Sequence, residues 1–256
     1  MISIQHLNKR FGTVQAVDDL SLEIPAGELF CFLGPNGAGK TTTIKMMTGL
    51  LRPDSGTIRI GGFDVQKQPV EAKRIMGYIP DMPFLYEKLT PVEFLKFVAG
   101  LYNVTHPDLS GHIESSLSQF GLQEARNALI GELSHGMRQR LLYIATFIHA
   151  PRVIFIDEPL IGLDPHSIRM IKNLLRAKVR DGMTILLTTH ILALAEDIAD
   201  QIGIISGGRL IALGKLGDLR TQSGDKGSLE DIFLNLTASP KNPEPLPPKK
   251  NLNPEP

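Results

Sequence analysis

Gly34-Pro35-Asn36-Gly37-Ala38-Gly39-Lys40-Thr41 is the stretch that decides the fold. A glycine, four residues and then Gly-Lys-Thr is the spacing of a phosphate-binding loop. Just upstream, Glu28-Leu29-Phe30-Cys31-Phe32-Leu33 is apolar and aromatic, the make-up of a buried strand. Just downstream, Thr42-Thr43-Ile44-Lys45-Met46-Met47-Thr48 predicts a helix that ends near Gly49. A strand, a glycine turn and a helix bring backbone N–H groups and a positive helix end to one point, which suits phosphate. In such a loop Lys40 reaches the outer phosphates and Thr41 offers its hydroxyl to Mg²⁺.

Outward from this loop the chain alternates in type. The residues before Leu33 predict strands with turns at Phe11-Gly12 and Pro25-Ala26-Gly27. Pro53-Asp54-Ser55-Gly56 is a turn signal ahead of an alternating strand, Thr57-Ile58-Arg59-Ile60. Gly77-Tyr78-Ile79 predicts a short strand that stops at Pro80. From about 91 to 150 the pattern becomes helical, with Pro91 at a helix start and apolar residues at helical spacing. This predicts a helical subdomain inserted between two sheet elements. After it come a strand at Val153-Ile154-Phe155-Ile156, a helix over 167–180 and a strand at Thr184-Ile185-Leu186-Leu187. Such alternation implies an α/β fold with a mostly parallel sheet, helices on its faces, and an antiparallel part at the N-terminal end. One folded unit over 1–237 is expected. The proline-rich stretch 238–256 lacks the apolar residues to offset ordering entropy and predicts a disordered tail.

Composition narrows the function classes. With 256 residues and 42% apolar content, the chain can bury one large core. Its 27 basic and 27 acidic residues cancel, so it offers no general attraction to nucleic acid or anionic lipid. Cys31 is the only cysteine, which excludes an internal disulfide and fits a buried thiol in a reducing cytoplasm. The first residues alternate and do not resemble a signal peptide. No apolar run reaches the roughly 18–20 residues of a spanning helix, so a membrane role requires a partner.

Two further segments carry chemistry. The apolar strand at 153–156 ends in Asp157 and Glu158. Placed beside the phosphate loop, Asp157 holds a metal through water and Glu158 points at an attacking water. Leu133-Ser134-His135-Gly136-Met137-Arg138-Gln139-Arg140 leads into a helix with Ser134 as its N-cap. That helix start is a second anion-binding end, useful if it closes on a nucleotide held by another subunit.

Taken in order, residues 34–42, 133–140, Asp157-Glu158, Gly162-Leu163-Asp164 and His190 resemble the nucleotide-binding subunit of an ABC transporter. The resemblance runs from Met1 to about Thr237. It implies an ATPase that binds ATP and Mg²⁺. Phe11 would stack on adenine, and Gly34, Pro35, Asn36, Gly37, Ala38, Gly39, Lys40, Thr41 and Thr42 would cradle the phosphates. Ser134 and Gly136 would contact the γ-phosphate across a dimer, and Asp164 would link the two sites. His190 would touch the γ-phosphate. Lys40, Glu158 and His190 are then the catalytic residues, and Thr41, Asp81 and Asp157 surround the metal. The implied partners are a second ATPase subunit, identical or not, and a transmembrane permease that holds the chain at the cytoplasmic face of the membrane.

Residues 133–140 and Ser228-Leu229-Glu230-Asp231-Ile232-Phe233-Leu234-Asn235-Leu236-Thr237 also resemble bacterial exporters of the ABC-2 kind. Two segments depart from the family's usual pattern, the one at Asp81 and the one at 133–137, where Met137 also stands in place of glutamine. Asp81 stands where glutamine is common, so the side chain accepts hydrogen bonds but cannot donate them when ionised. His135 stands where glycine is common, and calls for a different backbone angle. The alternative reading is a soluble ABC-type ATPase acting on ribosomes or DNA. A P-loop GTPase lacks support, because no Asn-Lys-x-Asp guanine-reading segment is present.

Overall fold

The computed structural model describes residues 1–82, 84–158, 160, 164–222 and 229–238. Two long strands open the chain, β1 (Ile2–Phe11) and β2 (Val14–Ile24), which turn at Gly12. β3 (Leu29–Leu33) leads through the glycine loop to α1 (Lys40–Met47). Then come β4 (Ser55–Ile60), β5 (Phe63–Asp64), α2 (Pro69–Arg74) and β6 (Met76–Ile79). Three helices follow, α3 (Pro91–Leu101), α4 (Leu109–Gln119) and α5 (His135–Phe147). The chain closes with β7 (Val153–Asp157), α6 (Pro165–Arg180), β8 (Thr184–Thr189), α7 (Leu192–Ile198), β9 (Gln201–Ser206), β10 (Arg209–Gly214), α8 (Leu216–Gln222) and α9 (Leu229–Ala238).

These strands form two sheets. One is antiparallel, in the order β2-β1-β4-β5; the other runs β10-β9-β3-β8-β7-β6. In the second sheet β9 to β6 are parallel and β10 pairs antiparallel at the edge. The mostly parallel α/β architecture with an antiparallel companion is as expected. The antiparallel sheet is not purely N-terminal, because β4 and β5 return to it from beyond α1.

Every residue of β3 is buried, and the reason is that both its faces are covered. Leu29, Cys31 and Leu33 join one core with residues of α3, α4 and α5, such as Phe94, Leu117 and Tyr143. Phe30 and Phe32 join a second core with Ile44 of α1 and with Ile2, Ile4 and Ile58 of the antiparallel sheet. The glycine loop therefore leaves a strand clamped from both sides. Burial pushes the Cys31 thiol pKa up, as expected for a core thiol.

Local signals explain several element ends. Thr90 caps α3, accepting from the Glu93 N–H, while the Glu93 carboxylate accepts from the Thr90 N–H, and Pro91 opens the first turn. Ser55 and Gly56, expected as a turn, begin β4 instead. Ser55 pairs with Asn8 of β1, and a Cβ at Gly56 would stand 2.4 Å from the His6 carbonyl oxygen. Glycine alone permits that approach. The late helix of the sequence is present as α9, while 239–256 lies outside the described residues. Among the described residues, no helix is long and apolar enough to cross a membrane.

Phe155 in β7 is fully buried, whereas Leu50 is 62% exposed. Phe155→Ala is expected to lower stability by about 3–5 kcal/mol. Leu50→Ala is expected to stay within about 0.5 kcal/mol of the unaltered protein, both read from urea denaturation.

Candidate functional site

The loop after β3 is shaped by close backbone contacts. A Cβ at Gly34 would lie 2.5 Å from the Ile205 carbonyl oxygen, and one at Gly39 would lie 2.3 Å from that of Ala16. Gly39 also has φ of 105°, where a side chain is strained. Gly208, at the turn between β9 and β10, donates its N–H to the Ala38 carbonyl at 3.1 Å. Pro35, Asn36 and Gly37 stay exposed, as does Thr41 in the first turn of α1, while Thr42 is half-buried. Gly39 caps α1 without a side chain, and no acidic residue sits in the first turn. The positive helix end is thus left free for an anion.

Lys40 is 6% exposed. Its ammonium donates to the carbonyls of Gly34 at 2.7 Å and Pro35 at 3.2 Å. It stands 4.0 Å from Oε1 of Glu158. Burial pulls its pKa down, and the carboxylates of Glu158 and Asp157 oppose that shift.

The acidic pair at the end of β7 completes this cluster. Asp157 is buried, and its Oδ1 accepts from the Thr188 hydroxyl. Glu158 has φ of 50°, a left-handed conformation costly for a residue with a Cβ. It is fixed there by its N–H, which donates to the Thr188 carbonyl at 3.1 Å. Nδ1 of the half-exposed His190 lies 3.0 Å from Glu158 Oε1, so with an ionised carboxylate its N–H donates. Asp157 Oδ2 and Glu158 Oε2 are buried with no hydrogen-bond partner among the described residues. These two unpartnered carboxylate oxygens have the donor chemistry that a hard cation such as Mg²⁺ takes, although no cluster of three or more acidic, histidine or cysteine side chains gathers as a metal site among the described residues.

The structure thus brings Lys40, Asp157, Glu158 and His190 together. The strand that carries the carboxylates is not the neighbour of β3: β8 runs between them, and its Thr188 bridges the gap. Thr188, Ile205, Ala16 and Gly208 are supporting residues that sequence reasoning missed. Buried threonines at the end of a β-strand, Leu187-Thr188-Thr189, are the available signal.

Outside the loop and α1, the other expected site residues make no hydrogen bond or ion pair to that cluster among the described residues. Phe11 ends β1 half-exposed, with the Lys9 ammonium 5.5 Å from its ring centroid. Asp81 follows β6 and accepts from the Met82 N–H at 2.9 Å. Ser134 caps α5, accepting from the Met137 N–H at 3.3 Å, and Gly136 lies in the first turn. His135 is the first residue of that helix and has no positive φ, so its side chain carries no left-handed strain. Asp164 caps α6, accepting from the N–H groups of His166 and Ser167 and from the Ser167 hydroxyl. The Ser167 hydroxyl and backbone N–H lead in holding its pKa down at about 2. Gly162 and Leu163, of the same motif, lie outside the described residues.

Known proteins resemble this chain in sequence and fold. The family model described as ABC transporter matches residues 17–161. The linearmycin resistance ATP-binding protein LnrL of Bacillus subtilis is 36% identical over 239 residues, covering 93% of this chain and 75% of the relative. The daunorubicin/doxorubicin resistance ATP-binding protein DrrA of Streptomyces peucetius is 40% identical over 223 residues, covering 87% of this chain and 68% of that one. A solved structure described as the ATP binding subunit of an ABC transporter superposes with a TM-score of 0.87 at 33% identity, over 92% of this chain and 99% of the other. The chain belongs to the ABC transporter family and is one of its ATP-binding, ATP-hydrolysing subunits.

Proposed function

We propose that this subunit drives export through a membrane-embedded partner by closing on ATP as a dimer and reopening after hydrolysis. The observation that carries this reading is Glu158. It stands half-buried beside Lys40, one carboxylate oxygen is committed to His190, and the other, itself buried, has no partner among the described residues.

In this reading Gly34 to Thr42 cradle the phosphates with backbone N–H groups and the α1 terminus. Lys40 exchanges its two carbonyl partners for the outer phosphate oxygens, which carry full charge. Thr41, Asp157 and Asp81 hold Mg²⁺, which when bound neutralises charge on the β- and γ-phosphates. Glu158 orients and deprotonates the attacking water, and its left-handed backbone aims the carboxylate out of the strand. His190 keeps Glu158 in that orientation and reaches the γ-phosphate. Phe11 stacks on the adenine ring. Ser134 and Gly136 present the α5 N-terminus to the nucleotide held by the other copy, and Asp164 ties the two sites together. Capping at Ser134 and Asp164 supports these last roles, because it pre-orients both helix ends.

The membrane partner would dock near Asp81 and the helices of the 91–150 region, holding the subunit at the cytoplasmic face. Exposed Met82, Phe84 and Tyr86 support a contact there. The likeness to two drug-resistance proteins supports export, and it supports the 1–237 folded unit as the working part. A pull-down from detergent extract distinguishes a membrane partner from ribosomes or DNA.

Glu158→Gln is expected to keep ATP binding while hydrolysis falls by about 10²–10⁴. The same variant should run as a dimer on size exclusion at saturating Mg-ATP, and a monomer there would refute the closing mechanism. Thr188→Val removes the donor to Asp157 and is expected to raise the Mg²⁺ concentration needed for ATP binding by about 10–100-fold, measured by calorimetry across Mg²⁺ concentrations.

A further inference from the structure

Phe11 sits at a strand end that the sheet alone does not secure. β1 pairs with β4 only as far as Asn8 opposite Ser55. Beyond that point Lys9, Arg10 and Phe11 have strand partners on the β2 side alone, at Val17, Gln15 and Val14. Even that ladder shifts register between Leu7 and Lys9 and again between Lys9 and Arg10. A strand end with one irregular neighbour frays readily.

Asp54 stands where β4 would have continued. Its N–H donates to the Asn8 carbonyl at 2.9 Å. Its carboxylate accepts the Arg10 N–H at 2.7 Å, the donor that a longer β4 would have satisfied, and the Lys9 ammonium at 2.8 Å. That ammonium in turn lies over the Phe11 ring, and Lys9 is itself only 15% exposed. The Lys9 hydrogen bond, followed by the Arg10 N–H, holds the Asp54 carboxyl below the usual carboxylate range. The chain of contacts therefore runs from the turn after α1, through one carboxylate, to one face of the ring.

We infer that Asp54 is a positioning residue for the nucleotide base, fixing the end of β1 and Lys9 so that Phe11 presents an ordered ring to adenine. The inference rests on the proposed stacking role of Phe11. Asp54 touches no phosphate-binding residue in its hydrogen bonds, so its effect is confined to the adenosine half of the ligand. A ring held in place gives up less conformational entropy on stacking than one on a frayed end.

The test compares ADP with inorganic pyrophosphate, both with Mg²⁺, by calorimetry on the full chain; neither ligand is hydrolysed at the γ-position. Phe11→Ala is expected to weaken ADP about five- to a hundredfold and to leave pyrophosphate unchanged. Asp54→Ala is expected to weaken ADP about three- to tenfold, again with pyrophosphate unchanged, and to add nothing on top of Phe11→Ala. Asp54→Asn, which keeps an acceptor for Arg10 but loses the ion pair, should fall between Asp54→Ala and the unaltered chain. The inference is overturned if Asp54→Ala and Asp54→Asn bind ADP normally while Phe11→Ala does not. Equal weakening of ADP and pyrophosphate would overturn it as well, as the mark of general damage. If Phe11→Ala itself binds ADP normally, the stacking role fails first and takes this inference with it.

Discussion

The ammonium of Lys40 is buried, and that single constraint organises the surroundings of the loop. A charge taken out of water needs compensating partners close by. Two of them, the carbonyls of Gly34 and Pro35, come from the loop itself and force it to curl around its own lysine. The third, Glu158, arrives from β7, two strands away in the sheet. The carboxylates are equally dependent on the lysine, since an unpaired buried carboxylate is costly in its turn. Loop shape, strand order and the left-handed backbone at Glu158 are therefore parts of one electrostatic arrangement. It is also a labile one, because phosphate oxygens are better partners for an ammonium than neutral carbonyls.

Such a cluster requires a rigid frame. β3 supplies it by being apolar on both faces, one against α3, α4 and α5, the other against α1 and the antiparallel sheet. The β9–β10 turn adds a brace, with Gly208 bonded to Ala38 and Ile205 packed where a Cβ at Gly34 would lie. The Asp18–Arg209 ion pair at 2.7 Å and the Asp18 N–H on the Gly208 carbonyl fasten that turn to β2. The loop is thereby held by both sheets at once, which is why its glycines meet backbone from β2 on one side and β9 on the other.

What the sequence disclosed, and what it did not, follows from this geometry. The glycine loop, its strand and its helix were legible because their signals are local: fixed spacing, apolar run, helix start. The cap Ser134 was equally local, bonding within three residues, and so was the helix start at Pro91. The strand order was not legible. Nothing in residues 153–158 says that a strand from thirty residues later will slip between them and β3, so Thr188 could not be assigned its bridge to Asp157. The role of Gly208 is hidden for the same reason, since its partner Ala38 lies far back in the chain. Ser55 and Gly56 misled because a glycine that admits a neighbouring carbonyl looks, in sequence, like a glycine that turns.

The two departures from the family's usual pattern come out differently once placed. His135 falls on the first helical position of α5, where the backbone is ordinary and the side chain is exposed, so the helix end offered by Ser134 survives the change. Asp81 is the more consequential, because β6 is the direct neighbour of β7. Tyr78, on β6, feels both carboxylates: burial raises its pKa first, and the charges of Asp157 and Asp81 raise it further. Its hydroxyl therefore stays protonated throughout the working range. An amide at position 81 would add no charge. A carboxylate there adds a negative charge at the end of the strand beside β7, but among the described residues Asp81, Asp157 and Glu158 do not gather into a metal-holding group. Replacing the amide thus trades a hydrogen-bond donor for a charge that reaches Tyr78, while one oxygen of Asp81 accepts from the neighbouring Met82 N–H.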